Sequence, residues 1–113
     1  MPRKPKALVL DSWAIMAYFQ DEPAGEKVAN IIADAHDDDI PLLMSVVNVG
    51  EVWYIITRKT SAADADQAIR QIRDLGIKFV DADWDLAHGA GYFKSRNRMS
   101  FGDCFAAALA KQR

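Results

Sequence analysis

Three short apolar runs, set apart by longer segments of helical periodicity, constrain this chain more than any other feature. KALVL (6–10) is a continuous apolar run of the kind found in strands buried on both faces of a sheet. IPLLM (40–44) and IKFVDA (77–82) follow as second and third strands. Between them the apolar period changes to that of helices. SWAIMAYFQ (12–20) is one, and GEKVANIIADAH (25–36) is amphipathic, with Val28, Ile31, Ile32 and Ala35 on the face expected to meet the sheet. VVNVGEVWYIITRK (46–59) is a long apolar helix. AADADQAIRQIRDLG (62–76) carries Ala65, Ala68, Ile69, Ile72 and Leu75 on one stripe and stops at Gly76. After the third strand, DWDLAHGAGYFKSR (83–96) reads as a helix opened by Asp83, and a terminal helix follows Ser100.

Strands that alternate with helices need crossover connections, and crossovers make a parallel sheet flanked by helices. The fold class is therefore α/β. Half of the 113 residues are apolar, enough for one core, and no repeat, low-complexity tract or linker divides the chain, so residues 1–113 are expected to form a single domain. No run reaches the roughly 18 apolar residues of a membrane span. MPRKPK leads only into a short apolar run without a cleavage-site pattern, so neither anchor nor signal peptide is expected, and the cytoplasm is the expected compartment by default.

Cys104 is the sole cysteine, and within DCFAAAL it reads as a small buried hydrophobe. Both histidines lie in polar contexts with no triad signature, which argues against a cysteine nucleophile. The net charge of -2 withholds the basic balance that would announce nucleic acid from electrostatics alone. That argument is weak against a carboxylate site, which is itself acidic until cations neutralise it.

Three acids stand out. Asp11 directly follows LVL and precedes a helix, which places it at the carboxyl edge of a strand, where reactive residues of open parallel sheets gather. An ordinary helix cap explains it equally well. Glu51 has Val47, Asn48, Tyr54 and Ile55 on its helical face, so it is expected to be partly buried and to need a cation, a hydrogen-bonded partner or a raised pKa. A salt bridge to Arg58 or Lys59 is the plainer account. In the terminal stretch MSFGDCFAAALAKQR (99–113), Ser100 and Asp103 fit a capping box. From Asp103 the helical offsets land on Ala106, Ala107 and Ala110, a small-residue stripe expected to hold Asp103 tight against the sheet, while Phe101, Phe105 and Leu109 form a bulkier ridge. The three carboxylates are then expected to meet in one small volume, where their repulsion calls for a hard cation such as Mg²⁺ or Mn²⁺.

LVLDSWAIMAYF (8–19), SVVNVGEVWYII (45–56) and SFGDCFAAALAK (100–111), in this order and spacing, resemble the PIN-domain ribonucleases, in particular the VapC toxins of toxin–antitoxin pairs. The resemblance covers essentially the whole chain. It implies a three-layer α/β/α fold, catalytic and metal-binding roles for Asp11, Glu51 and Asp103, a Mg²⁺ or Mn²⁺ cofactor and an RNA phosphodiester as substrate. It also implies homodimerisation and a cognate antitoxin. Family members continue past the terminal helix into a further strand and a turn with a fourth acid, so this chain, ending at Arg113, is expected to be short at its C-terminus and to lack the last strand.

Other features take plainer readings. HDDD (36–39) reads as a solvated loop, and Asp81 and Asp83 in DADWD as capping residues. Lys94, Arg96 and Arg98, with Arg58 and Lys59 behind them, are the candidates for phosphate contacts, solvated surface being the alternative. Trp13, Trp53 and Trp84 read as core or interface anchors. A haloacid-dehalogenase-type phosphatase needs a second Asp at position 13, which is Trp, and no phosphate-binding glycine motif follows any strand. The remaining rival is a catalytically impaired PIN-like module that binds RNA or protein without cutting. Indifference to Asp11→Asn would mark it.

Overall fold

Leu42, Leu43 and Met44 occupy consecutive positions of one strand and are all buried, because both faces of the sheet are covered by helices. In the computed structural model, which describes residues 4–20 and 23–113, the chain runs β1 (Leu8–Val9), α1 (Ser12–Phe19), α2 (Pro23–Asp37), β2 (Leu42–Ser45), α3 (Val46–Lys59), α4 (Ala62–Asp74), β3 (Ile77–Val80), α5 (Trp84–Arg96) and α6 (Phe101–Gln112). Met1 to Arg3, the start of MPRKPK, lie outside the described residues.

The strands pair in parallel in the order β1-β2-β3, with Leu8 opposite Leu42 and Leu42 opposite Ile77. Side chains alternate between the two faces of a strand, and two apolar clusters follow from that period of two. Leu42 and Met44 point into one cluster with Ile15, Val28, Ile32, Val52 and Ile72, drawn from α1 to α4. Leu43 points into the other with Leu86, Ala90, Cys104, Phe105 and Leu109, drawn from α5 and α6. The result is the expected α/β sandwich of helices, parallel sheet and helices.

Local chemistry sets most of the boundaries. Asp11, Ser45, Ser61, Asp83 and Ser100 each cap a helix, the side-chain oxygen accepting a backbone N–H of the first turn. Gly76 ends α4 at φ 80°, a left-handed conformation that suits glycine.

Three expectations about burial are overturned. Ile31 is 47% exposed, since Val28, Ile32 and Ala35 already fill the buried face of α2. The alanine stripe of α6 does not face the sheet: Gly102, Cys104, Phe105, Ala108 and Leu109 are buried, while Ala110 and Asp103 are exposed. Phe105 and Leu109 bury more apolar area per residue than the alanines and take the interface, whereas Phe101 of the same ridge is 52% exposed. Trp13 and Trp84 are 67% and 74% exposed, which removes the core half of their reading as core or interface anchors. Cys104 is buried and free, as expected. No helix among the described residues is long and apolar enough to cross a membrane.

Candidate active site

The elements that carry the three acids pack on one another: α1 against α3, α3 against α6, and α6 against β1 and β2. Asp11 lies just past β1, and β2 passes directly into α3 at Ser45, so both are set at the carboxyl edge of the sheet.

Asp11 does cap α1. Its Oδ1 accepts the Ala14 N–H at 2.8 Å, leaving the second carboxylate oxygen outside this bond.

Glu51 is half-buried on the second turn of α3. Its partner is neither Arg58 nor Lys59 but Asn48, one turn earlier, whose Nδ2 donates to Glu51 Oε1 at 2.8 Å. The same amide donates to the carbonyl of Gly102 at 3.0 Å, tying α3 to the start of α6. Glu51 fills the space beside that glycine: a Cβ at position 102 would collide with both carboxylate oxygens. Glycine is therefore required by close approach at this position. Asn48 and Gly102 are the site residues that reading the sequence missed. Their only signal was the helical spacing of Asn48 to Glu51 and the adjacency of Gly102 to Asp103.

Asp103 follows in the first turn of α6, its backbone N–H donating to Ser100 Oγ at 3.1 Å and its carboxylate side exposed. Glu51 is thus pressed against the residue next to Asp103. Among the described residues no group of three His, Cys, Asp or Glu side chains is already drawn together as a bound metal ion would require. Asp11 and Glu51 are each held by a neutral donor of their own helix.

The donor set is nevertheless of the kind that suits a hard cation. Mg²⁺ is ordinarily held by one or two carboxylates while keeping several waters, rather than by an all-protein cage. A fixed Glu51 over a side-chain-free backbone, with Asp103 as its chain neighbour and Asp11 on an adjoining element, fits that open mode of binding.

The basic candidates are all exposed. Lys94 Nζ donates to the Met99 carbonyl at 2.6 Å, bracing the loop that enters α6, and Arg96 lies over the Tyr92 ring at 5.1 Å. Arg98 is in that loop. Arg58 sits in the last turn of α3, seven residues past Glu51 or about 10 Å along the axis. Lys59 lines a cleft of about 370 Å³ with Ser12, Trp13, Met16 and Ile55, between α1 and the end of α3. HDDD forms the exposed end of α2 and the turn after it, where His36 Nε2 donates to the Leu75 carbonyl at 2.6 Å.

Comparison with known proteins adds a family. The model described as PIN domain matches residues 8–113. A ribonuclease VapC of Mycolicibacterium smegmatis is 29% identical over 111 residues, which span 92% of this chain and 83% of that protein. The crystal structure of VapC20 of Mycobacterium tuberculosis, described as a toxin cleaving the sarcin-ricin loop, is similar with a TM-score of 0.70 over 94% of this chain and 82% of that one. At 15% identity this second likeness concerns the fold.

Proposed function

Since this chain belongs to the PIN-domain family, we propose that it is a metal-dependent endoribonuclease, the toxin of a toxin–antitoxin pair. The observation that carries the reading is the Glu51 carboxylate, half-buried, held by Asn48 and seated on the first turn of α6 next to Asp103. A half-buried carboxylate that pairs with an amide, and with no cation among the described residues, fits a functional rather than a structural acid.

Asp11, Glu51 and Asp103 would hold Mg²⁺ or Mn²⁺. Such an ion, when bound, lowers the pKa of coordinated water and offsets charge on phosphate oxygens. The protein's own contribution is placement: Glu51 is kept in one orientation, and Asp11 is kept at the strand edge by its cap. Lys94, Arg96, Arg98 and, farther off, Arg58 would bind backbone phosphates of the RNA. The relatives' description as VapC ribonuclease and toxin supports RNA as substrate and an antitoxin protein as partner; the homodimer rests on the family resemblance alone.

One observation favours a second reading, a PIN-type module that binds RNA or protein without cutting: no three metal-ligating side chains cluster among the described residues. Replacing the acids separately decides between them. Asp11→Asn, Glu51→Gln and Asp103→Asn should each abolish cleavage of pooled transfer and messenger RNA, and unchanged cleavage in all three would sink the nuclease.

A further inference from the structure

We infer that Asn48 is a positioning residue, which holds the Glu51 carboxylate in the orientation that oxygen coordination needs. The inference rests on the ribonuclease reading above and extends it to a residue outside the acidic set.

Asn48 is fully buried, between Val47 and Val49 on the inner side of α3. Both hydrogens of its amide are committed, one to Glu51 Oε1 and one to the Gly102 carbonyl. Both partners are acceptors, so the amide has only one tolerable orientation, with nitrogen toward them. That orientation leaves Oδ1 buried with no hydrogen-bond partner among the described residues. A buried unpaired acceptor destabilises a fold, and an apolar side chain of similar size would avoid it. The two bonds it donates are thus offset by the oxygen it strands, and stability alone does not single out asparagine here. What asparagine adds is a rigid two-pronged donor that joins Glu51, through one short side chain, to the backbone of α6. Groups that orient a ligand from behind are a general feature of metal sites, and their loss ordinarily weakens binding about 10–100-fold.

The test is calorimetric titration of Mn²⁺ into the full chain, alongside a thermal melt and RNA cleavage. Asn48→Ala and Asn48→Leu should each weaken Mn²⁺ binding per folded molecule by about 10-fold or more, and Asn48→Leu, which fills the volume and removes the unpaired oxygen, should do so without a matching loss of melting temperature. Should either variant fail to fold, Asn48→Ser, whose single hydroxyl hydrogen can serve only one of the two acceptors, must weaken Mn²⁺ binding in the same way. Wild-type affinity in the Asn48 variants, with Glu51→Gln losing both binding and cleavage, overturns the role of Asn48 and leaves the nuclease standing. A wild-type chain that neither takes up Mn²⁺ nor cuts RNA overturns both.

Discussion

The Glu51 carboxylate lies against the backbone of Gly102, in the space where any side chain at that position would begin. Gly102→Ala is consequently expected to push the acid aside while changing the fold little, because alanine in a helix is favoured over glycine by about 1 kcal/mol. Steady-state cleavage should drop by about 10-fold or more, the scale on which misplaced reactive groups lose rate, and the melting temperature should move by only a few degrees. Full activity in this variant would mean that Glu51 need not stay where the structure holds it.

Asp11 caps α1 and is also a proposed metal ligand, and substitution separates the two roles. Asparagine caps helices as well as aspartate, whereas alanine in a cap position costs about 1 kcal/mol. Asp11→Asn should therefore keep its stability in urea unfolding and lose cleavage; Asp11→Ala should lose both.

Among the basic residues Arg98 gives the cleanest probe, since Lys94 is bound to Met99 and Arg96 to Tyr92. If Arg98 meets a phosphate, Arg98→Ala should weaken RNA binding for every sequence alike and reduce the slope of log affinity against log salt by about 1. An unaltered slope would assign Arg98 to plain surface.

Gly76 tests the scaffold away from the site. Its φ of 80° is unfavourable for other residues, and a Cβ there would stand 2.7 Å from the His36 ring. Gly76→Ala should cost about 1–3 kcal/mol in denaturant unfolding while leaving the cleavage rate per folded molecule unchanged.

The order of elements was legible because each junction carries its own local chemistry, as at Asp83, Ser100 and Gly76. The buried face of α6 was not. Counting from Asp103 selects alanines, counting from Gly102 selects Phe105 and Leu109, and only the contact with the sheet decides between two faces of one periodic helix. Glu51 was rightly marked as an acid in need of a partner, yet the partner was Asn48, an uncharged neighbour that charge pairing does not single out. The exposed tryptophans show the same limit: Trp53 turns outward, where its indole N–H donates to Asp66 at 2.9 Å, a contact made across two helices.

The central claim is that this family member hydrolyses RNA with carboxylate-held metal. Incubation of the purified chain with pooled transfer and messenger RNA, in Mn²⁺ and in chelator, tests it most directly. The account predicts discrete cleavage products with Mn²⁺ that disappear when the ion is removed. RNA left intact in Mn²⁺, or cut equally well in chelator, would contradict it.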